Sequence, residues 1–272
     1  MASTLFPPNP SEVMVIRKLT PEVVTLSLPF SRFGHLKFGA RGTLIKMGSG
    51  SLAVVSPVPL TPEVKETIAS LGGNLKYIAA PDLQHHIHVT AWKEAFPEAQ
   101  ILAPHGLWEK RQSHSDPATR NTEFTHIFTP QDRGQQKKIS EEFNSEFEVE
   151  YVDGHASREL VFLHKPSRTL IEADLLFNLP AREQYSKTEG GYNSGIMTKI
   201  MIPLLSTKPP VTWQKRFIWH LTATADRDAF RESMKRIDTW DFDRLIPCHG
   251  DVIETGAKSV FRNVMEWFLD GN

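Results

Sequence analysis

Histidine and carboxylate residues recur at four separate points of this chain. They are found in His85-His86-Ile87-His88, Gly154-His155, Glu172-Ala173-Asp174 and Cys248-His249-Gly250. Imidazole nitrogens and carboxylate oxygens are the ligands that Zn²⁺ and Fe²⁺ accept, and a metal can gather them from distant points if each lies at a strand end. A metal site is therefore the leading hypothesis.

The predicted elements place the first histidine cluster at the end of a strand. Leu75 to Ala80 is typical of a buried strand, and a turn at Pro81-Asp82 follows it. A helix carrying Trp92 and a strand from Gln100 to Ala103 complete a β-α-β unit. Ligands of such units usually lie at the carboxyl ends of the strands, where the cluster falls. Asp82 is interpreted as a cap of the helix that follows it, rather than as a ligand.

Further strands and helices are predicted on both sides of this unit. The first sixty residues contain four short apolar runs typical of a β meander, and 113–136 reads as a polar excursion over the surface. Residues at about 180–212 are rich in Gly and Pro and predict an insertion that folds over a site. The remaining predictions are strands at Phe147 to Val152, Glu159 to His164, Thr169 to Ala173 and Arg244 to Pro247, and helices at Asp226 to Trp240 and Lys258 to Leu269.

Composition limits the function classes. The 272 residues with 40% apolar content predict one large domain, 1–272. The 31 Lys and Arg nearly cancel the 32 Asp and Glu, which argues against a nucleic-acid partner. Cys248 is the single cysteine, so disulfide frameworks and multi-thiolate zinc sites are excluded, and we expect Cys248 itself to be an ordinary buried residue.

No targeting or spanning segment is evident in the sequence. The N-terminus lacks a basic segment followed by an apolar core, and no run of about 18 apolar residues occurs. We therefore expect a cytoplasmic protein with no membrane partner. The oligomeric state is open.

The order of the later motifs resembles the metallo-β-lactamase superfamily. Gly154-His155 precedes a predicted hairpin whose second strand runs into Glu172-Ala173-Asp174, and Cys248-His249-Gly250 precedes the last helix. In that superfamily a Gly-His pair precedes a hairpin ending in a metal-bridging Asp, and a late His-Gly precedes a C-terminal helix. The resemblance extends from about Gly42 to Leu269. It implies an αββα four-layer sandwich of the α/β class, with His155, Asp174 and His249 as metal ligands.

The first motif departs from the superfamily pattern His-x-His-x-Asp-His. If His86 takes the last histidine's place, the earlier histidines become Pro81 and Leu83, and His85 replaces the Asp. If His88 takes that place instead, His85 fills the middle histidine's position. The distance from His86 to Trp92 favours the first register, which is similar to a divergent branch of the superfamily. A standard dizinc site is incomplete in either register.

These observations lead to a primary functional hypothesis and two alternatives. The first is a Zn²⁺-dependent hydrolase that uses metal-bound hydroxide on a small ester, lactone, thioester or amide. Its metal ligands would be His86, His155, Asp174 and His249, with His85 at a weaker second position, and its catalytic residues would be Asp174 and His86. The alternatives are a mononuclear Fe²⁺ oxygen-dependent enzyme and a non-catalytic ligand-binding protein that kept the fold.

Overall fold

The computed structural model describes residues 5–32 and 36–270, and two facing sheets dominate it. In the first sheet the strand order is β1-β2-β5-β6-β7-β8-β9, antiparallel up to β6 and parallel from β6 onwards. Its strands are β1 (Val15–Lys18), β2 (Val23–Leu28), β5 (Ala40–Lys46), β6 (Leu52–Val55), β7 (Leu75–Ala79), β8 (Gln100–Pro104) and β9 (His126–Phe128). A separate two-stranded ribbon contains β3 (Ser31–Arg32) and β4 (Leu36–Lys37).

The second sheet has the order β10-β11-β12-β13. Its first three strands are antiparallel, and β13 joins β12 in parallel. The strands are β10 (Phe147–Val152), β11 (Glu159–His164), β12 (Thr169–Ile171) and β13 (Arg244–Ile246). Because β12 and β13 run in parallel, the loops that follow them leave the sheet at the same edge.

Helices cover the outer faces of both sheets. The longer ones are α2 (Pro62–Ser70), α3 (Val89–Ala95), α7 (Ile196–Leu204), α9 (Arg227–Thr239) and α10 (Ala257–Leu269). The shorter ones are α1 (Pro10–Val13), α4 (Leu107–Gln112), α5 (Pro117–Asn121), α6 (Glu141–Glu146) and α8 (Thr212–Phe217), and a π-helical turn at Ile218–Thr222 continues α8. The Thr61 side chain caps α2 by accepting a hydrogen bond from the Val64 amide, as its sequence position predicts.

Three apolar cores separate these four layers. One lies between the first sheet and its helices and includes Leu44 and Trp92. A second lies between the two sheets and includes Tyr77 and Phe162. The third lies between the second sheet and α9 and α10, around Phe230. This layering is the predicted αββα sandwich.

Local predictions differ from the structure at some element boundaries. The predicted surface excursion at 113–136 contains α5 and the edge strand β9, which pairs in parallel with β8 and buries Phe128. A three-residue strand with one buried anchor shows too little periodicity to be found by pattern. The predicted strand Thr169 to Ala173 ends at Ile171, because the backbone beyond it turns to present Asp174.

Gly154 lies where the second sheet meets α9. A Cβ atom at this position would lie 2.2 Å from the Asp226 carbonyl oxygen and 2.5 Å from the Phe230 nitrogen. We expect Gly154→Ala to lower the free energy of unfolding in urea by about 1–3 kcal/mol, because backbone must move to admit the methyl group. Gly48→Ala is the control, since its added Cβ would meet only the Glu146 carboxylate at 3.2 Å. Equal stability of the two variants would contradict the packing described here.

Candidate metal centre

The candidate metal centre lies in a cavity of about 620 Å³ at one edge of the sandwich. Three loops deliver its polar groups, each directly after a strand: His85 follows β7, Asp174 follows β12 and His249 follows β13. The rest of the lining is largely apolar and includes five aromatic side chains: Phe6, Phe30, Phe38, Phe177 and Phe217. The site is thus a small polar group at the wall of an apolar cavity.

Three side chains converge on one point. His85, Asp174 and His249 each offer a ligand atom, and these atoms all lie within 4.8 Å of one another. His85 Nε2 is 3.2 Å from His249 Nε2, and His249 Nε2 is 3.2 Å from Asp174 Oδ1. Donor atoms in a tetrahedral zinc site with ~2.0–2.1 Å bonds are separated by about 3.3 Å. The observed spacing matches that geometry.

The tautomer of His249 is set by a backbone acceptor. Its Nδ1–H donates to the Gly39 carbonyl oxygen at 2.6 Å, so the neutral ring carries no proton on Nε2. The ring is held by stacking on Phe177 and Phe30, with centroid distances of 5.1 and 5.7 Å. Arg41, buried in the core, donates to the carbonyl oxygens of Pro247 and Gly250 at 2.7 Å each and so fixes the His249 loop.

Asp82 fixes the ring of His85. Its Oδ1 accepts a hydrogen bond from His85 Nδ1 at 2.9 Å, which leaves Nε2 as the atom that faces the cavity. The same oxygen accepts hydrogen bonds from the Gln84 and His85 amides at 2.7 Å each. Asp82 therefore caps this turn and also orients the imidazole of His85. The prediction that Asp82 caps the following helix is wrong, because α3 begins only at Val89.

Two buried glutamates hold the loop that presents Asp174. Glu159 accepts hydrogen bonds from the Ala173 and Asp174 amides at 2.7 and 2.9 Å. Glu172 accepts from the Leu175 amide at 2.9 Å, and its other carboxylate oxygen is buried without a partner. Burial, with Coulomb repulsion from nearby carboxylates, raises the pKa of Glu159 and of Glu172 well above the ordinary value.

The charges in this cluster favour a cation. Burial alone would lower the pKa of His85, but the carboxylates of Asp82 and Asp174 outweigh it and raise that pKa to about 9. Burial would raise the pKa of Asp174, but the imidazoles of His85 and His249 hold it well below its usual range. Asp174 Oδ1 is itself buried without a hydrogen-bond donor. With a pKa of about 9, His85 is protonated near neutral pH and its Nε2–H can donate to His249 Nε2 at 3.2 Å. A divalent ion that displaced this proton would meet two imidazole nitrogens and this oxygen.

His86, the predicted catalytic residue and ligand, does not join this group. Its Nδ1 lies 3.3 Å from Nη1 of the buried Arg111, which also donates to the His86 carbonyl oxygen at 3.1 Å. Burial and the guanidinium charge lower the pKa of His86 to about 4. His86 is thereby turned towards the helices α4 and α5, and its neighbour His85 faces the cavity.

His155, the second predicted ligand outside the group of three, lies at the cavity wall. Its Nδ1 accepts a hydrogen bond from the Ser157 amide at 2.9 Å, which places the ring proton on Nε2. That atom lies 3.4 Å from the Asp174 carbonyl oxygen and 3.5 Å from Glu159 Oε2. Metal-bound imidazoles donate from the second nitrogen, whereas this one accepts. In this arrangement His155 braces the Asp174 loop.

Two other residues of the predicted motifs, His88 and Cys248, lie beside the site. His88 lines the cavity with its ring edge-on to Phe6, at a centroid distance of 4.9 Å. Cys248 is buried, and its thiol contacts the Arg41 carbonyl oxygen at 3.4 Å. The sequence patterns did not predict the supporting roles of Glu159 and Glu172. A signal was present, because each interrupts an apolar segment and a buried carboxylate there needs a partner.

Solved structures with similar folds support the architecture. A metal-soaked flavodiiron core from Synechocystis matches with a TM-score of 0.62 and 10% identity, over 94% of this chain and 60% of that one. A metallo-β-lactamase from Pontibacter korlensis matches with 0.57 and 10%, over 95% and 100%. Another from Hirschia baltica matches with 0.54 and 11%, over 94% and 97%. No curated protein matches the chain in sequence.

These likenesses establish the metallo-β-lactamase fold and confirm the resemblance seen in the sequence motifs. Within that fold class, the chain belongs to the family described as a domain of unknown function, DUF4336. The family model matches residues 33–187, more than half of the chain. The matched region contains His85 and Asp174, and His249 lies beyond it.

The contact between Asp82 and His85 makes a testable prediction. We expect Asp82→Asn to weaken zinc binding by about 10–100-fold, because the neutral amide supports the imidazole less strongly than the carboxylate does. A chelator competition titration measures the change. Asp116→Asn, which alters an exposed capping carboxylate at α5, is the matched control. Equal zinc affinities for Asp82→Asn and wild type would contradict the assigned role.

Proposed function

We propose that this protein is a metal-dependent hydrolase with one Zn²⁺ held by His85, Asp174 and His249. The observation that carries the proposal is the convergence of two imidazole nitrogens and one carboxylate oxygen at the wall of an apolar cavity. When bound there, zinc would polarise a substrate carbonyl group and make water more acidic. Three protein ligands leave positions free for water and substrate.

In this proposal, residues of the cavity orient water and exclude bulk solvent. Asp174 lines it with 17% of its side chain exposed and is held ionised, so it would orient water by accepting a hydrogen bond from it. Phe30, Phe38 and Phe177 surround His249 and would exclude bulk water from the reacting groups. The cavity best fits an ester, lactone, thioester or amide with a sizeable apolar group.

The ligand assignment is tested by metal content. We expect purified wild type to bind close to one zinc per chain, and His85→Ala and His249→Ala to lose most of it. His86→Ala is the matched control, because it removes an imidazole from the adjacent position that faces Arg111. Elemental analysis gives the content, and circular dichroism checks that each variant is folded. Loss of zinc in folded His86→Ala with retention in His85→Ala would overturn the assignment.

The apolar cavity makes a prediction about substrate preference. Each fully buried methylene contributes about 0.8 kcal/mol, so four further methylenes contribute about 3 kcal/mol and should raise kcat/KM by up to roughly 200-fold. A series of p-nitrophenyl esters from acetate to octanoate measures this, with folded His249→Ala as the inactive control. A flat series, or turnover that survives in His249→Ala, would contradict the proposal.

A second candidate is a mononuclear Fe²⁺ enzyme that uses oxygen. The observation that favours it is the ligand set itself, since two histidines and one carboxylate are the set found in non-haem iron oxygenases. Reconstitution with Fe²⁺ or Zn²⁺ under anaerobic conditions, followed by oxygen-uptake measurements, separates the two functions. Ester hydrolysis by the zinc form without oxygen uptake by the iron form favours the hydrolase.

A further inference from the structure

The outer surface around α7 and α8 carries most of the exposed large apolar side chains. Seven such side chains are exposed in the described part of the chain, and five of them belong to 196–221. We call these five the α7–α8 face: Ile196, Met197, Ile200, Trp213 and Leu221. Their exposed fractions run from 47% at Met197 to 76% at Ile196, and their grouping in one segment distinguishes them from the scattered exposed apolar residues that any surface shows.

The charged residues of the segment that contains this face are all basic. No Asp or Glu occurs from Gly190 to Ala225, whereas the same stretch contains Lys199, Lys208, Lys215 and Arg216. Lys215 is mostly buried and pairs with Glu266, but the other three are exposed. Arg216 lies over the Trp213 ring, 4.9 Å from its centroid. The face thus combines exposed aliphatic groups, a tryptophan and unopposed positive charge along the chain.

The α7–α8 face is continuous with the cavity of the metal centre. Leu221 belongs to both, and Met201, on α7, lines the cavity. Ile87, half-exposed on the loop after His85, lies on the cavity wall as well. Apolar side chains of 196–221 therefore lie both on the outer face and in the cavity lining.

From these observations we infer that the α7–α8 face docks on an anionic lipid surface. Exposed aliphatic and tryptophan side chains flanked by Lys and Arg are suited to the boundary between headgroups and acyl chains. A second copy of this chain is a poorer occupant, because a symmetric contact would bring two positively charged faces together. In the part of the chain that the structure describes, no helix is long and apolar enough to cross a membrane, and peripheral docking requires none.

Docking would open the cavity towards the bilayer. A substrate with an acyl chain could then pass from the lipid phase to the metal centre along Leu221 and Met201. This consequence rests on the proposed hydrolase function, but the lipid association does not. The substrate would be an apolar ester or thioester that partitions into membranes.

The test is sedimentation of the intact protein with vesicles of phosphatidylcholine alone or mixed with phosphatidylglycerol. We expect binding to the anionic vesicles, weakened ~10-fold or more by Ile196→Glu combined with Ile200→Glu. Lys199→Gln should weaken it ~5-fold. Ile127→Glu is the matched control, since Ile127 is an exposed isoleucine on β9, outside this face. Zinc content and circular dichroism establish that each variant is intact.

Three results would overturn the inference. The first is no binding of wild type to anionic vesicles. The second is equal binding by the α7 variant and the Ile127 variant. The third is a wild-type dimer in solution that the α7 substitutions convert to a monomer, which would assign the face to a second copy. If the protein binds zinc and hydrolyses soluble esters but does not bind vesicles, the lipid inference alone is wrong and the proposed hydrolase function stands.

Discussion

The candidate site depends on two imidazole nitrogens that face each other. His85 and His249 each donate from Nδ1, to Asp82 and to the Gly39 carbonyl group, so both direct Nε2 at the same point. At 3.2 Å this arrangement is stable only with a positive charge between the rings, which is the proton of His85 near neutral pH or a metal ion that displaces it. Asp174 contributes the third group at this point.

Much of the surrounding fold maintains this arrangement. Arg41 is buried in the first sheet and donates hydrogen bonds to the loop after β13. These bonds couple the position of His249 to the packing of the two sheets. Glu159 on β11 accepts hydrogen bonds from the backbone of the Asp174 loop. Buried polar groups of this kind are stable only when their partners are in place. The site is thus as rigid as the sandwich itself.

The sequence carries enough information to predict the fold and to include all three grouped residues among the candidate ligands, with His85 at a weaker second position. Asp174 and His249 follow from the resemblance of the motif order, a Gly-His pair, a hairpin ending in Asp and a late His-Gly, to the metallo-β-lactamase superfamily. The αββα architecture follows from the same order, and it is confirmed by the layered cores and by the solved structures of similar fold.

The choice between His85 and His86 is beyond sequence patterns. Arg111, 25 residues away, draws His86 from the cavity, and Asp82 turns His85 towards it. The first is a contact between a loop and helix α4, and the second depends on a turn whose conformation no periodicity specifies. Gly39 contributes only a backbone oxygen, so its role leaves no side-chain signal at all.

The most direct measurement is X-ray absorption spectroscopy at the zinc edge of protein reconstituted with one equivalent of Zn²⁺. The account predicts only nitrogen and oxygen ligands at ~2.0–2.1 Å, with outer-shell scattering from two imidazoles. Scattering from three or more imidazoles would bring His86 or His155 into the coordination sphere and contradict the arrangement described here. A sulfur ligand at ~2.3 Å would contradict it too, by drawing in Cys248.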